Sequence, residues 1–201
     1  MKEHVGFDIN GWIKIFDPIT NEIFVNKKNS IHHENISVSM AECLANQGTG
    51  WINELSFGNG GTYIDPNGII TYLTPNSIGS NAQLYNQTYS KIVDGRSVSN
   101  LDPLRNNLEI RHVSGAYYTD IFVTCLLDYS EPAGQEAFDT SNTNGLFVFD
   151  EMGLKSYSSS GDIKLLTHAI FHPVQKSLNR VIEIDYTIRI KSLSEYTSGG
   201  I

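Results

Sequence analysis

The sequence predicts a mainly β protein: an antiparallel β-sandwich with one α-helix near the N-terminus and a long loop or arm inserted in it. Three observations carry this. From Val181 to Lys191 apolar and polar residues alternate without error, with Ile182, Ile184, Tyr186, Ile188 and Ile190 on one side. Side chains of a strand point alternately to opposite faces, so this is a long strand with one buried and one wet face. Strand-like runs recur at short spacing along the chain with only one helical pattern among them, which favours antiparallel pairing. Between about residues 63 and 107 turn pairs replace the alternation, and a stretch that long reads as an arm or insertion. The 201 residues are read as a single domain, 1–201.

Taken in order, Trp12 to Phe16 reads as a strand, Asp17-Pro18-Ile19-Thr20-Asn21 as a turn, and Glu22 to Asn26 as the returning strand. Pro presets φ in the turn, and Asp and Asn bond their own backbone. Residues 31–46 predict the helix: Ile36, Met40, Cys43 and Leu44 recur at i, i+4, i+7 and i+8 as one apolar stripe. Ser30 is its expected N-cap, Glu34 suits the positive helix end, and Gly48 and Gly50 stop it. Trp51 to Phe57 is the next strand, and Gly58-Asn59-Gly60-Gly61-Thr62 reads as a tight turn with positive-φ positions. After the arm, strands are expected at 108–113, 120–127, 146–150, 155–157, 163–171 and 181–191. A polar loop is expected at 129–144 and a turn at Ser158 to Asp162.

Charged residues make up 18% of the chain, below the roughly 25% of an average domain. Asn, Ser, Thr and Gly fill the difference, as in turn-rich β proteins and in surfaces that meet other proteins. The net charge is −8 and the 14 basic residues are scattered, so tight nucleic-acid binding is not expected. No stretch approaches the ~18 apolar residues of a membrane span, and MKEHVGFDING has no signal-peptide core. A soluble protein made in a reducing cytosol is expected, with no membrane partner and with both termini pinned by neighbouring subunits. Cys43 and Cys125 read as free, small hydrophobes.

The glycine cluster at 58–62 lacks the Lys and the following helix of a phosphate loop. His168 and His172 lie four apart on a strand, about 13 Å, too far to share one metal. There is no nucleophile elbow; Glu54, Asp120, Asp150 and Glu151 could pair in space, but sequence does not show it, and acidic residues are mostly solvated. No enzyme activity, cofactor or metal is expected. Tyr85, Tyr89, Tyr117 and Tyr118 lie in or near loops and are the candidate interface residues.

Several pieces, in order, carry a resemblance: Ile15-Phe16-Asp17-Pro18 with Thr20-Asn21-Glu22; the helix followed by Ile52 to Thr62; Phe149 to Leu154; and Ala169 to Lys176 running into Ile184 to Ile188. Together they resemble structural proteins of contractile-tailed bacteriophages. The resemblance implies a non-enzymatic virion subunit assembled in the host cytoplasm, with copies of itself and other virion proteins (portal, neck or tail components) as partners. The neck or collar below the portal is the first placement. Capsid decoration, a baseplate or fibre role, or a carbohydrate- or receptor-binding module are the alternatives.

Overall fold

A computed structural model describes residues 4–132 and 146–195. The expectation of pinned termini falls outside them, as does most of the polar loop expected at 129–144. Strand β1 (His4–Phe16) turns into β2 (Ile23–Ile31), and helix α1 (His33–Leu44) follows. Next come β3 (Ile52–Gly58), the short β4 (Thr62–Ile64) and β5 (Ile70–Tyr72), then β6 (Gln87–Ile92), β7 (Asn107–His112) and β8 (Tyr118–Leu127). The chain closes with β9 (Leu146–Ser156), β10 (Thr167–Ser177) and β11 (Ile182–Glu195).

Nine strands form one antiparallel sheet in the order β6-β3-β9-β10-β2-β1-β11-β8-β7, and β4 and β5 pair as a separate hairpin. The nine-stranded sheet has a narrow waist. Strands β2 and β10 meet only at Thr167 opposite Ile31 and His168 opposite Ser30. Elsewhere pairing is long: β11 pairs with β1 along its whole length and with β8 from Ile182 to Lys191. The sheet curls at the waist so that its two halves face each other, giving the sandwich-like mainly β fold that the sequence predicts.

The core lies between the halves. Ile182, Ile184, Tyr186 and Ile188 are buried, as the alternation requires, and meet Ile13 and Ile15 of β1 and Val123, Cys125 and Leu127 of β8. The facing half supplies Phe57, Phe147, Phe149 and Phe171, packed edge-on except for Phe147 and Phe149, which stack. One hydrogen-bond chain crosses this apolar layer. Asn29 Nδ2 donates to the Tyr186 hydroxyl, which donates to Thr167 Oγ1 at 2.6 Å, and Thr167 Oγ1 also accepts from the Leu154 amide at 3.0 Å.

Several expected elements differ. Helix α1 is capped by His32 rather than Ser30: the His32 Nδ1 accepts the Asn35 amide at 3.2 Å. Strand β9 is continuous through Gly153 where two strands, 146–150 and 155–157, were expected. That glycine is there because a Cβ would sit 2.3 Å from the Thr167 carbonyl oxygen, not because the strand ends. Strand β10 starts at Thr167 and runs on through His172 and Pro173, with its register to β9 shifting between Ile170 and Val174. Nor is 63–107 an arm throughout, since β6 is a full member of the main sheet and Tyr89 and Val93 are core residues.

Candidate functional site

The glycine turn after β3 meets two carboxylates at the middle of β9. Gly61 N and Thr62 N donate to the two oxygens of Asp150 at 2.8 and 2.9 Å, and the Thr62 hydroxyl joins them. Glu151 takes Gly60 N and Asn86 N on Oε1 at 3.1 and 2.8 Å, and Tyr85 N on Oε2 at 2.9 Å. The glycines are required by close approach. A Cβ at Gly58 would lie 2.5 Å from both Asn86 O and Glu151 Oε1, and one at Gly60 would lie 2.8 Å from Asn86 N. Their φ values are not positive, which corrects the tight-turn reading. The turn is built to hold an anion, and the anions are the protein's own side chains.

Two buried histidines extend this bracing into the 73–86 segment. His168 Nδ1 accepts the Asn76 amide at 2.8 Å, so Nε2 carries the proton and donates to Glu151 Oε2 at 2.9 Å. His32, with Nδ1 occupied by its helix, donates from Nε2 to the Gly79 carbonyl at 2.9 Å. A carboxylate beside a histidine suggests acid–base chemistry. Here both side chains are fully buried, both ring nitrogens are engaged, and both Glu151 oxygens accept backbone amides. Burial pushes the Glu151 carboxyl up, but the hydrogen bonds from His168, Asn86 and Tyr85 outweigh it and hold it below its usual value. The node is a structural brace. Glu54 and Asp120 are not part of it: Glu54 accepts from Ser56, and Asp120 grips Arg189 with two 2.8 Å hydrogen bonds.

What the brace holds in place is the β4–β5 hairpin. Leu73 N donates to Gly61 O at 2.9 Å, and the Tyr72 hydroxyl lies 3.3 Å from His172 Nδ1 on β10. The hairpin tip is closed by Asp65, whose Oδ1 accepts Asn67 N and Ile69 N, with Gly68 at φ +82°. Beyond that, Tyr63, Ile64, Ile69 and Tyr72 face solvent.

The four candidate tyrosines are not brought together. Tyr89 is 7% exposed and packs against Phe57 and Phe147, so it is a core residue and not an interface one. Its place on β6 makes it so. Tyr85 is partly exposed, with its ring tilted against His168 and its hydroxyl donating to Thr74 O at 2.7 Å. Tyr117 is exposed at the β7–β8 turn, and Tyr118 lies under the Arg189 guanidinium, 3.8 Å from the ring centre.

A second feature lies where the sandwich is left open. The helix buries Asn35 and Ser39, while its apolar stripe runs from the core out to solvent: Ile36 packs against the core, Met40 is half-buried, Cys43 is exposed, and Leu44 is 87% exposed. The stripe forms one wall of a cleft of about 690 Å³. Ile9, Leu108, Ile121, Ile188 and Ile190 form the opposite wall and are continuous with the core, and Ile110 on edge strand β7 makes the lip. Asp94 and Arg96 are the charged residues lining it; they are 3.2 Å apart, and the Arg96 side chain is largely exposed. Two buried polar atoms of wall residues, Ser39 Oγ and Trp51 Nε1, have no hydrogen-bond partner among the described residues. Periodicity reveals the stripe in the sequence. That none of the described residues covers it shows only in three dimensions.

The chain matches no protein-family model, and neither a curated protein nor a solved structure is significantly similar to it.

Proposed function

We propose that this chain is a non-enzymatic structural subunit of a contractile-tailed phage particle, self-associating and bridging neighbours at the neck or collar. The observation that carries the reading is the uncovered apolar cleft. A helix stripe and the rim of the core both face solvent there, and contiguous apolar surface of that kind marks a protein contact. Val98, Leu101 and Leu104 add exposed apolar side chains on the neighbouring loop. The ordered series of sequence pieces that resembles phage structural proteins supports the virion reading, with the neck or collar as the first placement within it. The site's chemistry agrees with a scaffold: its buried carboxylates and histidines are spent on backbone amides and carbonyls.

Light scattering on the purified protein across a concentration series tests this. A closed species of roughly six or twelve copies supports a ring component of the neck. A monomer at every concentration, with no partner among neck and tail proteins in a mixing experiment, overturns the reading.

A further inference from the structure

Resting on that reading, we infer that the cleft is filled by the β4–β5 hairpin of a second copy of this chain, so that copies join head to tail. Position is the first argument. The cleft includes Trp51 and Ile52 at the start of β3, and the hairpin begins just beyond its end. Seven strand residues span about 23 Å. Along β10, too, Leu166 lies beside the cleft and His172 beside the hairpin. Knob and socket therefore sit at opposite ends of one rigid strand. Unlike patches either pair reciprocally about a two-fold axis or repeat head to tail, and the ring of the proposed function selects the second; a cross-link that stops at dimer would show the first.

Chemistry is the second argument. The hairpin presents Ile64, Ile69 and Tyr63 to solvent, and its one charged residue is Asp65 at the tip. The cleft is apolar; of its one ion pair, Asp94 is buried and Arg96 is the exposed partner at the rim. Size sets the multiplicity. Two tyrosines and two isoleucines bring on the order of 400 Å² per side, about half of what a stable pair needs. The contact holds when each copy gives one hairpin and receives another around a closed ring.

Cysteine cross-linking tests the geometry, because the cleft already carries an exposed cysteine, Cys43, while Cys125 is buried in the core. Burial and the neighbouring Glu42 push the Cys43 thiol up, so oxidation is run near pH ~9. Ile69→Cys, at a concentration where light scattering shows oligomers, is expected to give a non-reducing gel ladder of dimer, trimer and higher species. Each link is one Cys43 to one introduced thiol. The double variant Ile69→Cys/Cys43→Ser is expected to lose the ladder. A ladder that survives Cys43→Ser, or its absence from a protein that light scattering shows to be oligomeric, overturns the hairpin-in-cleft contact and leaves the assembly reading standing. A protein that stays monomeric overturns both. As a second measurement, Ile64→Asp is expected to keep the wild-type melting curve at a concentration where both are monomeric, and to stay monomeric where wild type forms the oligomer; an unchanged oligomer counts against the contact.

Discussion

Nε2 of His168 lies 2.9 Å from Oε2 of Glu151, and neither side chain touches solvent. Glu151 accepts four hydrogen bonds, three of them from backbone amides of the glycine turn and the 85–86 segment. A glutamine in its place must aim an NH₂ at one pair of these donors. Glu151→Gln is therefore expected to destabilise the fold by roughly 3 kcal/mol. Urea unfolding followed by tryptophan fluorescence measures it, and a loss below about 1 kcal/mol would show that the brace is dispensable.

The same pair sets an acid limit. The folded-state pKa of Glu151 lies below its ordinary value of 4.5, so the carboxylate's contribution is fully present above that value. It is lost as pH falls through the folded pKa, because the unfolded state takes up the proton first. Wild-type stability is expected to fall below about pH 4.5 more steeply than that of Glu151→Gln. Parallel curves for the two proteins would contradict this.

Lys176 is fully buried, and its ammonium donates to the carbonyls of Asp128, Glu131 and Ser177 at 2.8–2.9 Å. Burial lowers its pKa to about 8, against the attraction of Glu131 and Asp128. Between about pH 8 and the unfolded value of 10.5 the folded chain holds fewer protons than the unfolded one, so this group makes stability rise with pH across that window. Lys176→Met leaves three carbonyls without their donor and is expected to be less stable at every pH. Its deficit against wild type should widen from pH 8 to 10. A constant deficit would mean that Lys176 keeps its ordinary pKa.

Gly153 and Gly68 separate two reasons for glycine. At Gly153 a Cβ would meet the Thr167 carbonyl oxygen at 2.3 Å, while at Gly68 it would meet nothing within 4 Å but would need φ +82°. Gly153→Ala is expected to cost about 3 kcal/mol or more, because backbone of a core strand has to move. Gly68→Ala is expected to cost about 1 kcal/mol of local strain. Thermal unfolding of the two variants decides, and the reverse order would refute the close-approach argument.

The sequence reveals whatever depends on neighbours along the chain. The alternation in β11 places Ile182 to Ile188 in the core, and the opening hairpin turns where Asp17 and Pro18 direct, with Asp17 Oδ1 taking the Ile19 and Thr20 amides. What it hides are contacts between distant segments. Residues 151–154 read as a gap between two strands, because the carbonyl that forbids a side chain at Gly153 comes from another strand. The glycines at 58–61 read as a positive-φ turn because the carboxylates they approach lie far away, on β9. Tyr89 reads as a loop residue because β6 has little alternation of its own and is held as a strand by its pairing with β3. The helix stripe is legible, but periodicity cannot say whether a stripe is covered.

Leu44 turns that last point into a measurement. It belongs to the predicted apolar stripe yet is 87% exposed at the end of α1, where it lines the cleft. If the stripe served only the isolated chain, Leu44 would be an ordinary surface residue. Exchanging it for a charge would then change nothing beyond about 0.5 kcal/mol. If the cleft receives a neighbour, Leu44→Lys puts an unpaired ammonium into an apolar contact, at a cost of several kcal/mol. The expected result is a variant with the wild-type unfolding midpoint at a concentration where both are monomeric, and with no oligomer where wild type has one. Sedimentation velocity beside thermal unfolding reads both quantities on the same samples. A variant that assembles like wild type would place the contact surface elsewhere on the molecule.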